Sequence, residues 1–475
     1  MMKRRLDAIR NIGQVMLLLV LAGCVAPSAA VAPAQSAPPS ATPAATTDAP
    51  TPVPGNAAAD QLYVTGADAS GLSRLFVLNG ASGKAERTLP RGYIAPDWSI
   101  LYQVAPVQNT TTIRAYDIAT GRLLREMTLD GLYDAPVSAD TPWQSAFSPD
   151  GRWLVLFQQS TQAEQQKWHE SGQPRTRILV LDTSLSTPPR RIDLEGNFWF
   201  DALSVKGASL YLIQVLDPGW PPEYSPGQSP HYQVRRYDMA TARLDEQPVV
   251  DKSEVDPMIG NRYVSVATRG GAWLYSLYTR LDEGPFVHAL NLNDRYAVCV
   301  DLPFPVGGGD FESDLMWSLA LAPDESTLYA VNVALGQVAA INTQTFAVRS
   351  ATLPRPNAQV PDLLARISRW LMPAAEAKRL VVGGAAVSPD GQMLYALDSS
   401  GLVAIATSDL SLRGRFLADW TLNSLALGSR GDALYAVSDE KGAILRLALP
   451  AAGSSAVQVD SPARPVAVLR VSSER

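Results

Sequence analysis

Eight times along the chain an apolar pair sits inside a short hydrophobic run that follows a tight turn. The pairs are Leu62-Tyr63, Leu101-Tyr102, Leu154-Val155, Leu210-Tyr211, Leu274-Tyr275, Leu328-Tyr329, Leu394-Tyr395 and Leu434-Tyr435. By subtraction they lie 39 to 66 residues apart, with several strand-length runs in each interval. Repeats of this length built from strands predict an all-β chain folded as a β-propeller. The 475 residues would by length alone allow up to three domains, but the continuous repeats override that expectation.

The third repeat reads strand by strand. Trp143 to Phe147 runs into the turn Ser148-Pro149-Asp150-Gly151, and Trp153 to Phe157 follows as a second apolar run. Arg177 to Leu181 and Arg190 to Leu194 complete a four-stranded up-and-down blade. The Pro-Asp-Gly turn recurs at Pro389-Asp390-Gly391, with degenerate copies at Pro323-Asp324-Glu325, Pro96-Asp97-Trp98 and Gly428 to Gly431. Proline presets φ in such turns while Gly or Asp tolerates the corner, so these aspartates are read as turn formers rather than catalysts. Third strands end on a second mark, as in Tyr116-Asp117-Ile118-Ala119-Thr120-Gly121 and Tyr237-Asp238-Met239-Ala240-Thr241, where the Asp side chain caps the following turn.

The Ser-Pro-Asp-Gly turns, the second strands Leu328 to Val331, Leu394 to Leu397 and Leu434 to Val437, and the Asp-x-x-Thr-Gly strand ends resemble those of the YVTN/YncE-type bacterial β-propellers, relatives in architecture of the WD-repeat (WD40) proteins. The resemblance covers roughly residues 60–475 and concerns motifs of fold. The Gly-His and Trp-Asp marks of the strict WD repeat are missing. Eight blades are counted, seven if the long fifth repeat is misread. The first repeat lacks its innermost strand, and the apolar run Pro465 to Val471 has no repeat of its own. The expectation is that this C-terminal strand closes the ring and removes an open sheet edge.

The N-terminus carries the second strong signal. Lys3, Arg4, Arg5 and Arg10 precede an apolar stretch of 11 residues, Ile12 to Ala22. That is too short for a bilayer core, which needs about 20. Leu21-Ala22-Gly23-Cys24 resembles a bacterial lipobox, which implies removal of residues 1–23 as a signal peptide and lipidation of Cys24. Val25 in the next position resembles the class sorted to the outer membrane. Residues 25–59 hold eight prolines, otherwise mainly Ala, Ser and Thr, and a single charge, Asp48. A segment of this composition cannot bury enough apolar surface to fold and reads as a tether, reaching about 110 Å if extended and about 30–35 Å as a coil. The domain reading is thus a signal peptide over 1–23, a lipidated tether over 24–59 and the propeller over 60–475. The localisation it implies is extracytoplasmic, anchored to the cell membrane or the outer membrane.

Without residues 1–23 the chain has 36 Lys and Arg (40 less 4) against 45 Asp and Glu (46 less 1), a formal charge of −9. No basic stripe favours nucleic acid. With Cys24 lipidated, Cys299 has no disulfide partner and reads as a buried strand residue. His169, His231 and His288 are not at metal-ligand spacing, and no haem, zinc, nucleotide or nucleophile-elbow motif occurs. The sequence therefore predicts no cofactor, no metal and no catalytic residue. Asp310, Glu312 and Asp314 read as a solvated acidic loop.

Length variation among the connections falls on one face of the predicted disc, in 133–142, 160–176, 216–232, 250–262, 305–314 and 354–383. An elaborated face on a regular scaffold is the usual form of a binding site. It brings Tyr133, Trp168, Trp220 and Tyr224, with Trp143 and Trp199 near strand starts, as candidate aromatic anchors for a protein or a sugar. In 361–372 the residues Leu363, Leu364, Ile367, Trp370 and Leu371 fall at helical spacing, predicting one inserted amphipathic helix that packs on the propeller, docks a partner or touches the membrane interface. Two functions are expected from these features. The first is a non-enzymatic, membrane-anchored propeller that binds a protein or envelope polymer. The alternative is a propeller enzyme of lactonase-like or quinoprotein-dehydrogenase-like type, with Arg91, Asp201 and Arg262 near its central channel.

Overall fold

In a strand, adjacent residues point to opposite faces of the sheet. A propeller blade is packed on both faces by its neighbours, so both members of a pair at successive positions must be apolar. The computed structural model follows this rule: every Leu-Tyr pair lies on the second strand of a blade, and no member is more than 9% exposed. The structure describes residues 60–137, 145–217, 230–251, 257–280, 283–305, 316–354, 384–398, 401–450 and 456–473.

Eight antiparallel blades form the ring. The first is assembled from Ala85–Pro90, Ser73–Asn79, Asp60–Ala67 and, innermost, Arg464–Ser473. The other innermost strands are Tyr93–Ile94, Tyr133–Asp134, Asn197–Leu203, Asn261–Ala267, Trp317–Leu321, Ala385–Val387 and Ser424–Leu427. The count of eight holds, and the C-terminal strand closes the ring as expected, pairing from Asp60 with Ser473 to Ala67 with Arg464. Tyrosines of the second strands also tie blades together: the Tyr102 hydroxyl donates to the Thr183 carbonyl and that of Tyr211 to the Leu292 carbonyl, each at 2.9 Å in the following blade.

The seam between blades eight and one has its own polar clasp. Asp60, 1% exposed, accepts from the Tyr435 hydroxyl at 2.8 Å and from the Ser429 hydroxyl at 2.7 Å. Asp60→Ala leaves the buried Tyr435 hydroxyl without its partner, and is expected to cost about 1–3 kcal/mol. Urea unfolding of the variant checks this; a midpoint equal to wild type would show that strand pairing alone holds the seam.

The turn residues act as their chemistry predicts. Ser148 donates its hydroxyl to Asp150 at 2.5 Å and accepts the Trp153 N–H, and Ser388, Asp390 and Met393 repeat the arrangement. Gly151 and Gly391 stand at φ +70° and +73°, the left-handed region that glycine enters without strain. Asp117 and Asp238 each cap the turn after a third strand by accepting backbone N–H groups.

Three local expectations are corrected. The innermost strand of blade three begins at Tyr133–Asp134, paired with Gln158 and Phe157, while of the expected Trp143 to Phe147 strand the described residues show Phe147 bridging Leu154 and the Ala146 carbonyl accepting the Val155 N–H. A threonine clamp explains this start: Thr111 Oγ1 donates to the Gly131 carbonyl and accepts the Tyr133 N–H, fixing Tyr133 against blade two. The connection 160–176 contains a helix, α1 (Gln162–Ser171), opened by a capping box between Thr161 and Glu164 and closed by Gly172 at φ +64°. The fourth strand of blade four is split into Arg243–Leu244 and Met258–Ile259, both paired to His231–Asp238. The amphipathic helix expected over 361–372 and the acidic loop with Asp310, Glu312 and Asp314 lie outside the described residues.

The two faces of the ring differ. The connections 159–174 and 216–230 join second to third strands, and 302–316 and 353–384 join blades, so all four leave from one face. The opposite face carries tight turns, with 449–456 its longest connection between third and fourth strands. Because Asp60 pairs with Ser473, the first and last residues of the closing sheet meet on this turn face.

Candidate functional site

The innermost strands surround the axis, and their side chains decide what the ring can hold. Strands of blades five to eight line a cavity of about 390 Å³ with Val264, Leu319, Leu321, Val387 and Leu425. At its rim Glu325 accepts the backbone N–H of Arg269 at 2.6 Å. Arg269, Ser318 and Glu325 add polar groups to these aliphatic walls.

Polar chemistry concentrates between blades four and five. Two neighbouring innermost strands break register there: Asp201 falls at an irregularity between Phe200 and Ala202, and Tyr263 at one between Arg262 and Val264. Bulges re-aim side chains, and here they bring Arg262 onto Asp201 at 2.9 Å, with a second bond to the Phe200 carbonyl at 3.0 Å. Arg262 is also the cross-strand partner of Tyr278. The Tyr278 ring stacks on Tyr232 of blade four with centroids 5.0 Å apart, stacks on Phe286 at 5.2 Å and meets His288 edge-on at 6.3 Å. His288 directs Nδ1 toward the Cys299 sulfur at 3.7 Å, and the Cys299 N–H donates to Asp251 at 2.8 Å.

Burial governs the protonation of this group. It pushes Asp201 up against the opposing pull of Arg262, drives the Tyr232 hydroxyl well above the usual phenol range and raises Tyr278 likewise. It pushes His288 down to about 4, so the imidazole is neutral at pH 7. Asp201 Oδ2 and His288 Nε2 are buried and make no hydrogen bond among the described residues.

Of the aromatic candidates, Tyr133 is only 4% exposed and belongs to the core between blades two and three, so it offers no anchor to a ligand. Trp168 lies on α1, part-buried. Trp199 packs beside Tyr232, Tyr278, Met258 and Phe286, at the edge of the polar group. Trp143, Trp220, Tyr224, Trp370 and the lipidation candidate Cys24 lie outside the described residues. Asp201 and Arg262 are brought together as a pair, whereas Arg91 belongs to blade two, just before its innermost strand. Tyr232, Tyr278 and His288 were not among the expected site residues; the cross-strand register is the signal that identifies them. Cys299 is in a strand as expected, but part-exposed.

No family model matches the chain. No curated protein matches it. Among solved structures it is similar to apo AztD from Citrobacter koseri, with 11% sequence identity, 87% of this chain and 98% of that one covered, and a TM-score of 0.51. It is also similar to the dihydro-heme d1 dehydrogenase NirN in complex with DHE, at 11% identity, 89% and 77% coverage and a TM-score of 0.45. A putative 6-phosphogluconolactonase from Bacteroides fragilis NCTC 9343 shares 13% identity over 89% and 100% of the two chains, with a TM-score of 0.37. Likeness at such identity concerns architecture, and the architecture is that of an eight-bladed β-propeller.

Proposed function

We propose that this chain is a lipid-anchored, extracytoplasmic β-propeller that acts as a binding module for a protein or envelope polymer through its loop-rich face. One observation carries the reading: the closing sheet begins and ends on the turn face, while the connections 159–174, 216–230, 302–316 and 353–384 leave from the other. A tether attached at Cys24 would join the ring at Asp60, on the turn face, and would present the elaborated face away from the membrane. No helix among the described residues is long and apolar enough to cross a membrane. In this account the anchor is the lipid on Cys24.

The test is a crosslinked purification of the full-length chain from its native membrane, beside Cys24→Ser and a variant lacking 355–383. The expected result is a stoichiometric partner with the wild type, loss of that partner with the deletion, and release of Cys24→Ser into the soluble fraction. Membrane retention of Cys24→Ser would overturn the anchor, and absence of any partner would overturn the binding role. The pairing of Asp201 with Arg262 favours, as a second reading, a propeller enzyme with its site beside the central channel. Turnover of a lactone or alcohol substrate that is lost in Asp201→Asn would support it.

A further inference from the structure

We infer that the cavity lined by blades five to eight is a binding site for an aliphatic α-amino acid, held by Glu325, Arg269 and Ser318. The hollow follows from the sequence of the innermost strands. Opposite the residue two places after each second-strand tyrosine, blades four and five carry Trp199 and Val264, whereas blades six, seven and eight carry Ser318, Gly384 and Ser424. Small residues at this level leave about 390 Å³ open, walled by Leu319, Leu321, Val387 and Leu425. A cavity of that size suits a small molecule. Ser265 and Ser424, on other innermost strands, are partnered: Ser265 bonds the Ser276 hydroxyl and Ser424 accepts the Val468 N–H, each at 2.8 Å. Ser318 is 2% exposed, lines the cavity and makes no side-chain hydrogen bond among the described residues. Buried hydroxyls normally have a partner, and here a ligand supplies it.

The charges stand on the turns that end two of these strands. Trp98, Gly151, Gly207, Gly271, Glu325, Gly391 and Gly431 close equivalent turns with their backbone N–H groups, all at φ between +60° and +73°. Glycine adopts that region freely, whereas a glutamate there is strained, and strain of this kind gathers at functional sites. Trp98, the other exception, is held by its packing on Tyr63 and Arg470. The Glu325 carboxylate accepts the Arg269 N–H at 2.6 Å, which fixes the acid at the cavity rim beside the arginine of the preceding blade. The Arg269 guanidinium makes no ion pair among the described residues. A ligand carrying only a cation would face Arg269, and one carrying only an anion would face Glu325. A zwitterion gives its ammonium to Glu325 and its carboxylate to Arg269, and the aliphatic walls select a hydrocarbon side chain. The site opens among the first turns, so it is separate from any partner on the loop-rich face and does not depend on the lipid anchor.

The experiment is isothermal titration of the full-length chain in detergent with L-leucine, N-acetyl-L-leucine and L-leucinamide. The expected result is one equivalent of leucine bound, with affinity weaker by about tenfold or more for the two derivatives, each of which lacks one charge. Glu325→Gln keeps an acceptor for the Arg269 N–H, and Glu325→Gly relieves the left-handed residue, so both should fold with thermal midpoints close to wild type. Each should nevertheless lose about tenfold or more in leucine affinity, as should Arg269→Gln. A wild-type chain that binds no leucine, leucinamide that binds as tightly as leucine, or a Glu325→Gln variant that titrates like wild type overturns the assignment.

Discussion

Arg262→Met is expected to destabilise the propeller by about 3–5 kcal/mol, the cost of stranding a buried charge. The carboxylate at risk is Asp201, whose side chain is 1% exposed and whose one bonded oxygen rests on Arg262 at 2.9 Å. Arg262 also satisfies the Phe200 carbonyl, so its loss opens a second buried acceptor on the same strand. The change should appear as a lower urea midpoint with an unchanged slope, since the surface exposed on unfolding hardly differs. Replacing both partners with apolar residues, Asp201→Leu with Arg262→Met, should recover most of the loss. A single-variant effect below about 1 kcal/mol would mean that water reaches the pair and that burial does not govern it.

Stability should also fall by about 3 kcal/mol as pH is lowered from 6.5 to 4, through His288 alone. Burial pushes this imidazole from 6.5 down to about 4. Across that interval the unfolded chain binds a proton that the folded chain refuses, so the unfolded state gains and stability declines with falling pH. A fall from 6.5 to about 4 corresponds to about 3 kcal/mol. Above pH 6.5 the contribution is flat. His288→Leu should flatten the profile between pH 6.5 and 4 whatever it does to absolute stability. Asp238 acts in a separate window: the Thr241 N–H and the Arg236 guanidinium hold it down to about 2, so its contribution is present above its ordinary range and is lost as pH falls toward 2. Urea unfolding at a series of pH values resolves both. An unaltered slope in His288→Leu would assign the acid sensitivity elsewhere.

The ring was legible in the chain because its signals are local. A Leu-Tyr pair buried on both sides, a Ser-Pro-Asp-Gly corner and an aspartate capping the next turn each act within a few residues, and they recur in register. The closing strand was legible by subtraction, as an apolar run left over beside a repeat lacking one. Helix α1 carried its own mark in Thr161 and Glu164, a capping box that loop length obscured. The polar group between blades four and five was only half legible. Asp201 and Arg262 stood out as charges in apolar strands, but their meeting depends on two register breaks that no Gly or Pro marks. Tyr278 and His288 join them through cross-strand pairing, Arg262 with Tyr278, Tyr278 with Phe286 and His288 with Cys299. Alternation places a residue on one face of a strand; only register says which residue on the next strand it meets. Tyr133 failed as an anchor for the same reason, since a threonine clamp from blade two turned an apparent loop residue into the start of an inner strand.

The anchored binding propeller is tested most directly by site-specific photo-crosslinking in native membranes, from a probe at Trp168 on the loop-rich face and a probe at Arg430 on the turn face. A discrete protein or polymer adduct from position 168, with none from position 430, is the predicted result. Equal labelling from both positions, or an adduct from the turn face alone, would contradict the account.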